Sequence, residues 1–267
     1  MKKKHSPEKG SEIAKSGFKA EDMVVDMLNG WKNSDIAKQW LKEMNVEIII
    51  GDVEARRKKG KEKSDIILDV NGSCFGITVK KFECRGFNQI QRGSVSNMAK
   101  IFDMSDEIRI IFSKMCGVDE YQPEQLLDET ALKIMYEARQ VNFDSNFCDI
   151  LKRHKKFHFS ELSDHEQTIL LSWLEKNKNR IVSILFKGRD QPLPPSWLLA
   201  IQQKDSNILR SKIVAITKAI SHYSSGDITV SDNGIITIGK ITIQRKSGDG
   251  GRMAGQDLQF KMSPDDA

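Results

Sequence analysis

The chain carries only four cysteines, Cys74, Cys84, Cys116 and Cys148, and no two of them stand at the Cys-x-x-Cys spacing of a zinc or redox site. No apolar stretch follows the basic N-terminus MKKKHSPEKG, so nothing marks a secretory leader, and a reduced, intracellular (cytoplasmic) protein is expected. No run approaches the roughly 18 apolar residues that a membrane-spanning helix needs, which excludes an integral helical membrane protein. Aromatic residues are scarce at 7%. The paired strand aromatics on which single-stranded bases stack are missing, which weighs against an RNA-binding module. Internal repeats and low-complexity segments are also lacking, and the proline-rich run Gln191-Pro192-Leu193-Pro194-Pro195 is too short for a domain linker.

What the chain does have is charge, unevenly placed. Charged residues make up 30% of the 267, with a net charge of only +5. Arg56, Arg57, Lys58, Lys59, Lys61 and Lys63 form one basic cluster, and a second runs from Lys152 to Lys156. Such patches favour a polyanion, nucleic acid being the commonest, although lysine runs also occur as solvated loops.

The first cluster leads into KSDIILDVNGSCFGITVKKF, where two apolar runs are joined by Asn71-Gly72. Asn-Gly between apolar runs predicts a β-hairpin. On strands of period two, Thr78 and Lys80 share a face, and a hairpin can bring Asp65 to the same point. A carboxylate, a second oxygen ligand and a lysine are the minimum for metal-assisted phosphodiester hydrolysis. Asp65 would hold a hard cation, Thr78 would be the further ligand, and Lys80 would orient the attacking water or stabilise developing charge. The alternative is a surface hairpin with solvated charges.

Elsewhere the apolar spacing predicts helices over residues 11–29 and 34–44, the second capped by Ser34. Glu21 in the first is either a further acid for the metal site or a carboxylate that complements the helix N-terminus. Residues 46–50 and 108–112 read as strands. Residues 97–102, 124–137 and 207–222 read as helices, and Ser163-Asp164-His165-Glu166 as a capping box opening another. His154 and His158 have helical spacing but lack a third ligand, so no zinc site is expected. After the hairpin, Arg85, Asn88 and Gln89 are residue types that read base edges and phosphates. Phe87 among them either wedges between base steps or anchors its loop to the core. From Asp227 the sequence alternates as short strands, with a turn at Asn233-Gly234 and a bend at Gly239. These deliver Gln244, Arg245 and Lys246 to a glycine-rich loop holding Arg252, followed by a last strand with Lys261. A ribbon tipped with Gln, Arg and Lys is suited to a DNA major groove.

With those residues in view, the sequence resembles the small type II restriction endonucleases that recognise GCGC, within the PD-(D/E)xK nuclease superfamily. The resemblance is carried by GSEIAKSGFKAED and WKNSDIAKQWL, by Lys63-Ser64-Asp65, by RGFNQI at Arg85–Ile90, by DHEQTILLSWLEKN, and by SGDITVSDNGIITIGKITIQRKSGDGGRMAGQDLQFKMSP. It implies an α/β fold in one domain, residues 1–267, with a central mixed sheet flanked by helices. The catalytic core would span about 11–115, a helical middle about 120–222, and a C-terminal β region for DNA contact about 225–264. It sets the family's Ser-Asp on Ser64-Asp65 and its Gln-x-Lys on Thr78-Val79-Lys80, a departure at Thr78. A threonine hydroxyl is a shorter and weaker ligand than a glutamine carbonyl, so either Thr78 or another group is the second metal ligand. Lys81 is an alternative to Lys80, though strand parity favours Lys80. The activity implied is Mg²⁺-dependent cleavage of double-stranded DNA at a GC-rich palindrome, with a nuclease-fold protein that only binds DNA as the rival. A palindromic target suggests a homodimer or a monomer that cuts one strand at a time. A cognate DNA methyltransferase would belong to the same system without contacting this chain.

Overall fold

Asn71 and Gly72 adopt positive φ, 51° and 78°, as a two-residue hairpin turn requires. They join β2 (Ile66–Val70) to β3 (Ser73–Phe82) in the antiparallel register Ile66↔Ile77 through Val70↔Ser73. The computed structural model containing this hairpin describes residues 7–46, 53–58, 60, 62–82, 88–118, 158–204, 207–232, 234–245 and 257–264. The chain divides into two compact units, each assembled from separated segments.

The first unit comprises Ser11–Asn88, Asn179–Ser225 and Met262–Ala267. Its sheet adds β1 (Val53–Arg57), β5 (Pro195–Lys204) and β6 (Asn207–Ala215) in the order β1-β2-β3-β5-β6. Only β3 and β5 run parallel, so the sheet is mixed. Two helices cover one face: α1 (Pro7–Asn29), which enters this unit at Ser11, and α2 (Asp35–Glu43). Val24, Leu28, Trp40 and Leu41 pack there against Ile66, Leu68, Ile77, Val79, Leu199 and Ile201. Ser34 caps α2 by accepting the Ala37 N–H at 3.2 Å, and the Trp40 indole N–H donates to Ser211 at 2.9 Å. A helix later in the chain, Ile216–Ser224, packs on β5 and β6, and the rings of Phe186 and Tyr223 meet with centroids 5.3 Å apart.

The second unit comprises Met1–Gly10, Gln89–Lys178 and Gly226–Lys261. It is built on β4 (Asn88–Gly93), β7 (Ile228–Val230), β8 (Ile236–Ile238), β9 (Ile241–Arg245) and β10 (Leu258–Met262), ordered β4-β10-β9-β8-β7. Its helices are α3 (Val95–Phe102), α4 (Asp106–Cys116) and the first part of α5 (Asp164–Lys187); Ile216–Ser224 is then α6. The ring of Phe102 lies 5.2 Å from that of Phe260. The capping box at α5 is formed in both directions, Ser163 N–H to Glu166 at 3.0 Å and Glu166 N–H to Ser163 at 3.3 Å. Gly234 and Gly239 take positive φ at the β7–β8 and β8–β9 turns.

Two sequence expectations are overturned. Residues 108–112 are helical within α4, because Ser105 caps the Ile108 N–H and Ile108, Ile111 and Phe112 recur at helical spacing on the buried side. A short apolar run fits both periods, and the cap decides. Residues 207–222 are not one helix but β6 followed by α6. The first half pairs along β5, so cross-strand hydrogen bonding outweighs its helical spacing. The strand expected over 46–50 lies outside the described residues beyond Val46, as do the 124–137 helix, the Lys152–Lys156 run, His154 and Asn233. No helix among the described residues is long and apolar enough to cross a membrane.

Leu68 is fully buried in the middle of β2, an interior strand of the first sheet. Leu68→Ala should therefore cost about 2–5 kcal/mol, read as a lower urea midpoint at unchanged m-value.

Candidate active site

The β2–β3 pairing begins at Ile66↔Ile77, and Asp65 stands immediately before it, at the mouth of β2. Thr78 and Lys80 share a face of β3, and the Asp65 side chain reaches that face, where the charges of Lys63, Lys80 and Asp65 act on one another. Asp65 is tied into the sheet on both edges: its N–H donates to Ile77 O at 2.9 Å, and its carbonyl accepts from Lys58 N–H at 2.9 Å. Its Oδ2 accepts from Thr78 Oγ1 at 2.9 Å and from Val79 N–H at 2.7 Å, with Lys80 Nζ at 3.9 Å. Oδ1 accepts no hydrogen bond among the described residues. The carboxylate is thus oriented through one oxygen and open at the other.

Glu21 comes from α1. Its pKa is raised to about 7, first by burial and then by the negative charge of Asp65, against the lowering pull of Arg57 and Lys80. Those couplings bring Glu21 into the same charge cluster. Thr78 is buried, with 4% of its surface exposed, and its hydroxyl proton is spent on Asp65. Ser64 is buried too; its hydroxyl donates to Leu193 O at 2.8 Å, which gives it a local structural partner. Lys81 donates to Ser16 Oγ at 2.5 Å, while Lys80 is the lysine beside Asp65. Among the described residues no three of His, Cys, Asp and Glu gather as a metal cluster.

Arg57 stood in the sequence only as a member of a basic run, and Lys63 as a member of that run and of the Lys63-Ser64-Asp65 match, with no role of its own. Lys63 is lowered to about 8 by burial and by Lys80, with Asp65 opposing. Its place two residues before Asp65 is the one sequence signal that could have found it. Arg57 Nη1 contacts both carboxylate oxygens of Asp22, at 3.0 and 3.1 Å, with its guanidinium 5.3 Å from the ring centre of Phe18. A strand-to-helix contact of this kind leaves no periodic signal.

The expected DNA-contacting residues are divided. Arg85, Phe87, Lys246 and Arg252 lie outside the described residues. Asn88 donates to Lys81 O at 2.7 Å. Exposed Gln89 accepts from Gln259 Nε2 at 2.5 Å. The register Gln259↔Gln244 and Lys261↔Thr242 sets Gln244, Gln259 and Lys261 on one face of the second sheet. Arg245 is on the opposite face with Ile243 and Phe260, where burial lowers its pKa despite the nearby Cys116. Gln244 and Arg245 therefore do not act from the same side.

Glu21 has a consequence for stability. In metal-free buffer the folded protein holds this proton up to about pH 7, whereas the unfolded chain releases it near 4.5. Between those values the folded state binds more protons, so stability falls as pH rises through the window. Glu21→Gln should remove that loss. Urea midpoints in EDTA at about pH 5 and about pH 8 should then lie closer together in the variant than in the parent protein; an identical pH dependence in both would refute the assignment.

A model of the R.HinP1I restriction endonuclease family matches residues 118–267, more than half of the 267-residue chain. A crystal structure of the restriction endonuclease MspI in complex with its cognate DNA is similar in fold, at a TM-score of 0.55 and 16% identity, covering 91% of this chain and 87% of that one. No curated protein sequence matches the chain. The family match and the shared mixed α/β architecture agree: this chain belongs to the R.HinP1I restriction endonuclease family, and so to the site-specific deoxyribonucleases.

Proposed function

We propose that this endonuclease hydrolyses duplex DNA at a short GC-rich palindrome, GCGC or a close variant, using Mg²⁺ at the Asp65 site. The observation that carries the reading is the Asp65 carboxylate, oriented through Oδ2 by Thr78 and Val79 and flanked by Lys80, with Glu21 in the same charge cluster.

The donor set suits Mg²⁺, which is held through one or two carboxylates and keeps several of its waters. Asp65 Oδ1 and Glu21 are the residues that would hold it, with Thr78 Oγ1 lone pairs or a backbone carbonyl beside them. Asp65 raises the cost of ionising Glu21, a cost that a cation held by these carboxylates would offset. When bound, the cation supplies Lewis-acid polarisation of the phosphate and a lowered pKa for water. Lys80, held near Asp65 by charge, donates to the attacking water or to a phosphate oxygen and offsets negative charge as it develops. Thr78, in place of the glutamine that the resemblance implies, serves first as the donor that keeps Asp65 in its rotamer.

Sequence reading is assigned to Gln244, Lys261 and Gln89 in the second unit, together with Arg85, Phe87, Asn88, Lys246, Arg252 and Arg245. Gln pairs bidentately with adenine and Arg with guanine, each good pair being worth about 1–3 kcal/mol of discrimination. A palindromic site would be met by a homodimer or by one copy cutting the two strands in turn. The host's own sites would be protected by a cognate methyltransferase acting on the same sequence.

Digestion of a fully sequenced plasmid in Mg²⁺, with an EDTA control and end-mapping, should give discrete fragments ending at one short palindrome. Asp65→Ala should abolish cleavage while leaving binding in Ca²⁺ intact, and Lys80→Ala should slow cleavage by about 10²–10⁴-fold. Undiminished cleavage by Asp65→Ala would sink the catalytic assignment. Intact plasmid with a clear gel shift would mark a protein that binds its site without cutting.

A further inference from the structure

Three consecutive residues at the mouth of β2 are tied by polar bonds to neighbouring segments. Two of the ties come from the segment between α5 and β5. After α5 ends at Lys187, Gly188 takes φ +77° and its N–H closes on Ile184 O at 2.8 Å; Asp190 also takes a left-handed φ, +51°. The Gln191 side chain then folds back over Gly188. A Cβ at position 188 would lie 2.5 Å from both Cδ and Nε2 of Gln191 and 2.8 Å from its Cγ. In that fold Gln191 Oε1 accepts the backbone N–H of Lys63 at 2.7 Å. Two residues later Leu193 O accepts the Ser64 hydroxyl at 2.8 Å. The third tie is the Asp65 N–H to Ile77 O.

The space around these bonds is closed. A Cβ at Gly76 on β3 would fall 2.3 Å from Ser64 Oγ and 2.9 Å from Pro194 O, so Ser64 is held between β3 and the 188–194 segment with no room for another atom. A side-chain acceptor reaching 128 residues along the sequence to meet one backbone N–H is not needed to build the sheet, because Lys63 precedes the first residue of β2.

We propose that Gln191 is a positioning residue for cleavage: with the glycine at 188 that lets it fold back, it fixes the Lys63-Ser64-Asp65 segment so that the Asp65 carboxylate stays aligned with Thr78 and Lys80. The inference rests on the reading of Asp65 as the metal-binding carboxylate. Gln191 touches neither the reacting atoms nor the cation; it acts through the backbone of Lys63. Groups that orient a metal ligand typically change metal affinity or activity about 10–100-fold when removed.

The test uses the full-length protein and a duplex containing its mapped site, with cleavage followed in single turnover across a Mg²⁺ titration. Gln191→Met keeps the length and packing of the side chain and removes the acceptor. It should raise the Mg²⁺ concentration for half-maximal rate, or lower the saturated rate, by about 10–100-fold, with DNA affinity in Ca²⁺ unchanged. Gln191→Glu keeps the acceptor oxygen and should recover most of the loss, since Gln191 Nε2 makes no hydrogen bond among the described residues. Gly188→Val, which crowds the folded side chain, should resemble Gln191→Met. Wild-type Mg²⁺ dependence and rate in Gln191→Met would overturn the proposal even if its melting temperature fell. Failure of Gln191→Glu to recover activity while folded would overturn it as well. Asp65→Ala run in parallel separates the two levels: an active Asp65→Ala removes the site itself, whereas an inactive Asp65→Ala beside a fully active Gln191→Met removes only the role of Gln191.

Discussion

The pair of hydrogen bonds that Asp65 Oδ2 accepts, from the Val79 N–H and the Thr78 hydroxyl, is the constraint on which the candidate site depends. Both donors belong to β3, and both meet Asp65 only in the register the Asn71-Gly72 turn enforces. A slip of one residue would turn every side chain of β3 to the other face and bring Lys81 in place of Lys80. The buried set Ile77 and Val79 resists that slip, because it would move Ile77 and Val79 out of a core shared with α1 and α2. Core packing and the geometry of the candidate site are therefore enforced by the same register.

Around that carboxylate the charges are close to balanced and each leans on another. Lys63 and Lys80 oppose one another, and Asp65 offsets part of the cost of bringing two ammonium groups together. Glu21 bears the opposite strain, burial and Asp65 holding its proton on to about pH 7 while Arg57 and Lys80 pull the other way. Arg57 is in turn engaged by Asp22 and Phe18 on α1. Titratable groups such as Glu21 and Lys63, moved first by burial and then by neighbouring charges, cluster at functional sites. Such a cluster also accounts for the mixture of cations and acids, which a simple phosphate-binding patch would not need.

Much of the first unit was legible because its signals are local. The hairpin, the α1 and α2 helices and the Ser34 cap follow from turn chemistry and apolar spacing. The capping box of α5 was legible for the same reason. Residues 108–112 and 207–222 were misread because spacing alone cannot tell a short apolar run in a helix from one in a strand. In the first case a serine cap settles the matter, and in the second an antiparallel partner does. Gln244 and Arg245 read as one basic tip, yet register turns them to opposite faces.

The sequence by itself determined the residue types and their parity: Asp65 before an apolar strand, Thr78 and Lys80 two apart after an Asn-Gly turn, and Glu21 in a helix, which the structure starts at Pro7 so that Glu21 lies past its middle and not at its N-terminus. Tertiary structure decided which of them meet. Burial raised the pKa of Glu21 and lowered that of Lys63, and neither effect exists in an extended chain. It also brought Gln191 back to the Lys63 backbone across 128 residues of sequence. Periodicity reports what neighbours on one element share. A hydrogen bond between a loop side chain and a distant backbone has no period, so it becomes visible only once the chain has folded.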